Sequence, residues 1–498
     1  MREILIALFK TSSGSVFTLL FGVITSKIIA VNLGPTGVGL LSILRQTRDT
    51  LLMLTSFNGG TAIVQGIASR RENDRYTYSF VVSVIILIST IVVVFVLLLG
   101  APFIAKYTLH RTDPKYIWLI RGISIPLIFS TGIMLFSSIL NGYRAIGRLA
   151  IVHVTASAMS MIIAYPITLY VADGNPIGFI WMMSISTGIG CLAAYVFARY
   201  ANMLPSTKEV MSILNKDIAL ENVQYFLSFA TTTLVTGFAS TLTVLAIRSM
   251  IVSNQGLGAA GIFDVAWTLS MMYITLVLTS FSTYYMPTLS QSKDLVSKNL
   301  LVTRIFRLTV LIVVPLIISV IVLKPLIVQL LYSSKFLYAL TIIRWMLIGD
   351  YLKSTSWVFG VTIIASADKR TLFWSEILFQ LLFLSLAGVA MVYFENLEGI
   401  GIAFVIMYSL YLIFTIYYVR SNFQFNLETS NVFKWILGFL IIIAASIQTW
   451  FDTQVNIFSV VIWVSIAFCY SWLSLASSER KQVFVFINDQ ASNLTNKF

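Results

Sequence analysis

The apolar positions of this chain fall into long runs that are separated by short polar segments. An α-helix crosses the hydrocarbon core of a bilayer, about 30 Å thick, with roughly 20 apolar residues. Fourteen runs are long enough, at residues 4–31, 37–68, 77–100, 115–141, 148–172, 177–199, 219–251, 259–289, 303–332, 339–366, 371–394, 398–420, 432–451 and 455–476. The pattern predicts an all-α polytopic membrane protein with fourteen transmembrane helices.

The basic residues between the runs orient these helices. The loops after even-numbered runs, together with the two terminal segments, hold 20 Lys and Arg residues, whereas the loops after odd-numbered runs hold four. Cytoplasmic loops are enriched in Lys and Arg. We therefore expect both termini on the cytoplasmic side.

Composition supports this class and weakens others. The chain is 58% hydrophobic and 11% charged, whereas soluble domains are about 25% charged. The net charge of +13 does not indicate a nucleic-acid binder, because the basic residues are scattered between apolar runs instead of forming one solvated face. His110 and His153 are far apart, so we expect no metal site, and no ATP-binding loop is present.

The first twelve runs divide into six and six, which suggests two parallel repeats. Lys27 is followed by IIAVNLGPTGVG and Arg248 by SMIVSNQGLGAAG, although Gly and Asn are common in turns generally. The predicted division is an N-terminal six-helix lobe, a cytoplasmic linker, a C-terminal six-helix lobe, an extra helix pair and a cytoplasmic tail, at residues 1–200, 201–218, 219–421, 422–478 and 479–498.

The runs contain more basic than acidic residues. When charged residues near the run ends are assigned to the adjacent loops, as in the loop count above, nine basic ones remain, Lys10, Lys27, Arg45, Arg48, Arg121, Arg248, Lys324, Arg344 and Lys353, and four acidic ones, Asp49, Asp264, Asp350 and Glu376. Charge in hydrocarbon costs on the order of 3 kcal/mol or more per residue. A surplus of five cations is tolerable next to water or an anion, so we expect a water-filled, cationic cavity between the lobes.

Less specific interpretations apply to several of these charges. Residues near the ends of runs can extend to the headgroups, and this is the expectation for Lys10, Arg121, Lys324 and Arg344. For Lys27 and Arg248, headgroup contact and cavity lining both stay open.

The interior charges leave two interpretations as well. Arg45 and Asp49 lie four residues apart and Asp350 and Lys353 three apart, so each set could form a neutral pair that holds helices together. Asp264 and Glu376 could partner a cavity arginine or bind a coupling ion.

Four segments resemble a known family: LGPTGVGLLSILRQ, SFNGGTAIVQGIAS, FSTYYMPTLSQ and YSSKFLYALTIIRWMLIGDYLKSTSWVFGVTIIASADKRTLFWSEILFQ. They are similar to the lipid-linked oligosaccharide flippases of O-antigen and enterobacterial common antigen synthesis, in the multidrug/oligosaccharidyl-lipid/polysaccharide (MOP) exporter superfamily. The resemblance covers roughly the first 420 residues. It implies two six-helix bundles in a V around a central cavity. It also implies transport of undecaprenyl-diphosphate-linked glycan from the cytoplasmic to the periplasmic leaflet of the bacterial inner membrane.

The resemblance extends to Lys27, Arg45, Arg248, Asp350 and Lys353 as cavity residues. Roles for Arg48, Asp49 and Asp264 rest on the charge argument alone, as does a coupling role for Glu376. Arginine is well suited to phosphate oxygens, which it binds in bidentate fashion. No cofactor is expected beyond H⁺ or Na⁺ as a coupling ion. The expected partners are the lipid-linked glycan, the bilayer, a polysaccharide polymerase and a chain-length regulator.

Two other functions deserve comparison. A membrane-embedded polysaccharide polymerase or ligase should place catalytic carboxylates or histidines in a large outer loop, but the longest one, 101–114, offers only His110, Arg111 and Asp113 as candidates. A multidrug cation antiporter on the same scaffold should have an acidic, aromatic site, whereas the site predicted here is basic.

Overall fold

The computed structural model describes residues 2–204, 216–292, 294–475 and 480, with side chains at all of these except 2–15, 72–73, 232 and 283. Within these ranges the chain is helical and contains no strand. One 3₁₀ helix spans Ser334–Ala339. The α-helices are α1 (Arg2–Ser56), α2 (Gly60–Ala68), α3 (Glu72–Thr108), α4 (Pro114–Gly122), α5 (Ser124–Gly142), α6 (Ile146–Ala172), α7 (Gly178–Tyr200), α8 (Lys216–Gln291), α9 (Leu295–Leu331), α10 (Leu340–Ala365), α11 (Lys369–Tyr393), α12 (Glu398–Phe423), α13 (Thr429–Gln448) and α14 (Ile457–Ser474).

Eleven helical stretches of the described chain are long and apolar enough to cross a membrane. Two of them, Val16–Ala68 and Lys216–Gln291, have 53 and 76 residues, so each is long enough for two crossings. Helix α10, with 26 residues, also has the length of a crossing, although it contains three charged residues. The described residues thus offer fourteen crossings, the predicted number, and the protein is a multi-pass membrane protein.

Two glycines turn the chain between paired crossings. The helical hydrogen bonding of α1 and α8 runs through the predicted turns, and only Gly34 (φ 62°, ψ −166°) and Gly256 (φ 83°, ψ 177°) leave the helical region. A positive φ with an extended ψ is accessible to glycine and strained for other residues. Each predicted loop is therefore a sharp bend at one residue.

Two predicted runs are interrupted. The run at 37–68 breaks between α1 and α2, where Phe57 and Asn58 adopt positive φ values of 54° and 46°. The run at 115–141 is divided into α4 and α5 at Ile123, which keeps helical angles (φ −58°, ψ −22°), so Pro114–Gly142 is still one crossing.

The two bends face each other across a local approximate twofold axis. Gly39 lies against the backbone of Leu257 and Gly261, and Gly261 lies against that of Pro35 and Gly39. A Cβ on either glycine would overlap the facing carbonyl oxygen and lie 2.9 Å from the facing glycine nitrogen. The absence of side chains at both positions therefore allows the two helix backbones to touch.

Helix α8 packs with both parts of the chain. Phe226 and Ala230, in its first turns, belong to a buried cluster with Ile63, Tyr78 and Ile139 of the N-terminal helices. Later residues of α8 belong to the main core. The two parts of the chain are therefore in contact on both sides of the predicted boundary near 219, and the boundary stays a prediction. The linker predicted at 201–218 is outside the described residues between 205 and 215, and so is the predicted tail apart from residue 480.

The extra helix pair, α13 and α14, is joined to α9 and α10. The rings of Trp435 and Phe439 stack on Tyr351 of α10 with centroids 5.6 and 5.8 Å away. Trp435 Nε1 donates a hydrogen bond of 3.0 Å to Thr355 Oγ1. Helix α10 is consequently covered on this side by protein.

Candidate functional site

Charged side chains of α1 and α8 lie close together near the bends at Gly34 and Gly256. We call Arg45, Arg48, Asp49, Arg248 and Asp264 the central charge group. Arg248 and Asp264 lie on opposite sides of the Gly256 bend, which folds α8 back on itself. Arg248 Nη2 and Asp264 Oδ1 therefore approach to 2.6 Å. The predicted lone acid, Asp264, is the partner of a buried arginine.

Arg248 also joins α8 to α1. Its Nη1 donates a hydrogen bond of 2.8 Å to the carbonyl oxygen of Ser42, and only 5% of the residue is exposed. An isolated buried charge is costly unless it is paired. The ion pair with Asp264 and the hydrogen bond to the Ser42 carbonyl together compensate for the burial of the Arg248 charge.

The pairing considered for Arg45 and Asp49 is wrong. Asp49 Oδ1 instead accepts hydrogen bonds from Nε and Nη2 of the adjacent Arg48, at 3.0 and 2.7 Å. The Arg48 side chain is long enough to fold back onto its neighbour, and the pair is partly exposed. Asp49 is therefore engaged without neutralising Arg45.

Arg45 is a half-buried cation without a direct partner. Within the described part of the chain, its guanidinium makes no ion pair and no hydrogen bond, although Asp264 lies within electrostatic range. Because Asp264 is already bound to Arg248, Arg45 keeps all its donors available.

The second pairing considered, between Asp350 and Lys353, is also not formed as a direct ion pair. Asp350 is fully buried and accepts hydrogen bonds from Ser270 Oγ at 2.8 and 2.9 Å and from Tyr273 Oη at 2.5 Å. Lys353 Nζ lies 2.9 Å from Met271 Sδ and about 6 Å from the ring centroids of Phe404 and Tyr408. Among the described residues, neither charge has a counter-ion at contact distance.

These two sites lie along one face of α8. Asp264 and Met271 are seven residues apart, which places them on the same side of a helix about 10 Å from each other along the axis. The first contacts Arg248 and the second contacts Lys353. The free cations Arg45 and Lys353 are thus held near two points of a single surface.

Lys27 and Glu376 lie at the edges of this surface. Lys27 Nζ donates a hydrogen bond of 2.7 Å to the carbonyl oxygen of Gln329, one turn before Tyr332, which lies near Arg45. Glu376 is half-buried within electrostatic range of Tyr408, which also borders Lys353. In the described ranges, His, Cys, Asp and Glu form no group of three that could hold a metal ion.

Two charges expected to reach the headgroups are buried instead. Lys324 is 1% exposed and donates hydrogen bonds to Thr449 O and Oγ1 at 2.9 and 3.1 Å. Arg344 pairs with Glu398 and lies 4.0 Å above the Trp450 ring. Both hold the turn between α13 and α14 against the C-terminal helices. The side chain of Lys10 lies outside the described side chains.

The pairs also change the predicted surplus of charge. Arg48, Arg248 and Arg344 each bind a carboxylate, and Lys27, Arg121 and Lys324 each bind backbone carbonyls. Of the predicted intramembrane cations whose side chains are described, this leaves two, Arg45 and Lys353, without an oxygen partner. The cationic character of the interior is therefore concentrated at these two positions.

A cavity of about 240 Å³ lies between the N-terminal and C-terminal helices, near the loops that contain Arg70 and Lys369. We call it the vestibule and this side of the molecule the basic end. Helix α2 lines it with Thr61 and Gln65, and α8, α10 and α11 line the rest. Thr233, in its wall, precedes Arg248 by 15 residues, so the vestibule is about 22 Å from the central charge group along α8.

Comparison with known proteins agrees with the fold and the sequence features. The family model described as "Polysaccharide biosynthesis protein" matches residues 7–293, more than half of the chain. The chain belongs to this family. A curated relative, the lipid III flippase of Escherichia coli (strain K12), is 23% identical over 359 residues, which cover 72% of this chain and 84% of the relative.

Solved structures share the architecture of this family member. The lipid II flippase MurJ in an inward closed conformation aligns with a TM-score of 0.68, covering 97% of this chain and 100% of that chain at 14% identity. An inward-facing MATE family multidrug resistance transporter of the MOP superfamily aligns with a TM-score of 0.62, covering 82% of this chain and 94% of that chain at 12% identity. The predicted MOP-like polytopic fold is thereby confirmed.

Several residues of the site were not predicted from the sequence. Ser270 and Tyr273 enclose Asp350, and Glu398 neutralises Arg344 from the first turn of α12. Ser270 and Tyr273 are three residues apart on an apolar helix, a spacing that places two hydroxyls on one face. This spacing is the sequence signal that could have indicated the two residues, but spacing alone does not identify Asp350 as the acid that they bind.

Proposed function

We propose that the protein moves an undecaprenyl-diphosphate-linked oligosaccharide, an O-antigen or related unit, from the cytoplasmic to the periplasmic leaflet of the inner membrane. The protein acts as a transporter and not as a polymerase or ligase. Membership of the polysaccharide biosynthesis family and the similarity to a lipid III flippase support this class of substrate.

The observation on which the proposal mainly depends is the pair of free cations. Arg45 keeps all its donors unused, and Lys353 donates to Met271 Sδ but has no oxygen partner among the described residues. The neighbouring Arg248 and Asp264 already neutralise each other. A diphosphate offers several anionic oxygens, and hydrogen bonds between charged groups are the stronger ones. The diphosphate binds between Arg45 and Lys353.

Transport proceeds by alternating access. The basic end faces the cytoplasm, with both termini on that side, so the vestibule is the entrance for the headgroup while the polyprenyl chain stays in lipid. The glycine contact at the opposite side closes the periplasmic end in this conformation. Rocking of the halves then opens that end and releases the glycan.

The energy source and the partners complete the proposal. A proton or Na⁺ gradient drives the cycle, with Glu376 as the acid available for an ion because it has no direct partner among the described residues. A polysaccharide polymerase and a chain-length regulator receive the product in the periplasm. A cationic drug is a poor ligand at Arg45 and Lys353, because both residues carry a charge of its own sign.

The test is a flipping assay in liposomes with purified protein. We expect Arg45→Ala combined with Lys353→Ala to lower the initial rate at least about 100-fold, since each charged hydrogen bond is worth about 1.5–3 kcal/mol. Arg121→Ala is the matched control, because Arg121 is an intramembrane cation that bonds to the Leu98 carbonyl instead. Flipping by the double variant at the parental rate would exclude the cationic site.

A further inference from the structure

The vestibule has polar groups that the protein itself does not use. Thr61 and Gln65 lie one turn apart on α2 with exposed side chains. In the part of the chain that the structure describes, neither side chain has a hydrogen-bond partner. Both therefore present free donors and acceptors to whatever enters.

The opposite walls combine apolar and polar surface. Phe229, Ile363 and Leu372 supply apolar contact, and the Ser228 hydroxyl, which donates to Tyr225 O, keeps its acceptor positions free. Ligand sites of this kind have a mostly apolar lining with a few directed polar groups. An acyl chain would leave those polar groups without partners.

The charges at the vestibule rim do not favour a diphosphate. Lys369 is exposed there, but the adjacent Asp368 is anionic. The pKa of Asp368 is lowered, first by a hydrogen bond from the Thr371 side chain and then by the one from the Thr371 backbone amide, so the carboxylate stays ionised near neutral pH. Its other oxygen accepts a hydrogen bond of 3.2 Å from Tyr418 Oη. The rim is therefore a neutral pair overall, unlike the surface around Arg45.

We infer that the vestibule is a carbohydrate-binding site that contacts sugars of the glycan before the diphosphate reaches Arg45 and Lys353. A pyranose ring has an apolar face, which packs on Phe229, and hydroxyls, which bond to Thr61 and Gln65. The volume of about 240 Å³ is below the roughly 300–1,000 Å³ of typical ligand sites, so it accommodates part of a glycan. This inference rests on the proposed function and adds a second recognition point to it.

The experiment compares two probes in proteoliposomes: undecaprenyl diphosphate with one N-acetylglucosamine, and undecaprenyl diphosphate without sugar. We expect Thr61→Val and Gln65→Met, which keep side-chain volume but remove hydrogen bonds, to lower the flipping rate of the sugar-bearing probe about tenfold. The rate for the sugar-free probe should stay within about twofold of the parent. That second rate also reports correct folding. Thr155→Val, at a half-buried threonine of α6 outside the vestibule, is the control variant.

The outcomes separate this inference from the proposed function. Equal loss of both probes, or unchanged rates for both, would overturn sugar recognition by the vestibule while leaving the flippase proposal intact. If the parent protein flips neither probe, the flippase proposal fails and the inference fails with it. A selective loss of the sugar-bearing probe supports the inference.

Discussion

Adding one methyl group to either glycine of the inter-helix contact tests whether this contact closes the end of the molecule that holds the two bends. In Gly39→Ala or Gly261→Ala, the new Cβ would lie 2.9 Å from the facing glycine nitrogen and closer still to a carbonyl oxygen. Ordinary contacts of Cβ begin at 3.4 Å, so the two backbones must separate by at least about half an ångström.

The cost follows from this overlap. Inserting a methyl group into a packed site typically costs about 1–3 kcal/mol, and backbone atoms can yield less than side chains. A penalty of that size lowers the ratio of closed to open molecules by about 5- to 150-fold. Because the contact is reciprocal, the two substitutions should have similar effects.

The assay is labelling of a buried reporter. Ser42, 1% exposed and three residues beyond Gly39, is replaced by cysteine in a chain whose Cys191 and Cys469 have been changed to serine. A membrane-impermeant maleimide should label this cysteine about 5- to 150-fold faster in either alanine variant. Gly258→Ala is the matched control, since its Cβ would meet nothing closer than 3.7 Å. Labelling at the rate of the control in both variants would refute the reasoning.

Three further substitutions test the contributions of individual charges. Asp264→Asn should destabilise the protein by about 3–5 kcal/mol, because Arg248 would stay buried without its counter-ion. Asp49→Asn, in which the carboxylate side chain is 41% exposed, should cost about 1 kcal/mol or less; equal losses in thermal unfolding would contradict this difference. Lys324→Met should raise hydrogen exchange in the turn that contains Thr449, whose buried oxygens lose their donor at a cost of about 1–3 kcal/mol. Exchange at the parental rate would show that the turn is held by other contacts.

The sequence predicts the membrane crossings well because run length and bilayer thickness are physically coupled. Gly34 and Gly256 are also recognisable in advance, since sharp bends between apolar runs favour glycine. The ends of individual helices are less accessible. The break at Phe57 and Asn58 depends on two residues that adopt left-handed conformations under tertiary constraint.

The partners of the charges were the least predictable part of the site. Helical spacing suggests Arg45 with Asp49, but a flexible arginine can reach its immediate neighbour, as Arg48 does. Asp350 finds its donors on a helix about 80 positions earlier in the chain. Such choices depend on how bent helices are packed, which local spacing does not specify.

Helix α8 belongs mechanically to both parts of the protein. Its first turns are embedded among N-terminal helices, while its continuation packs both on α1, through Gly261, and on α10, where Ser270 binds Asp350. Relative motion of the two parts must therefore bend this helix, withdraw Phe226 from its cluster or separate the helix from α1. A boundary at the polar connection before α8 would assign this helix to the C-terminal part alone. The helix nevertheless packs against both parts.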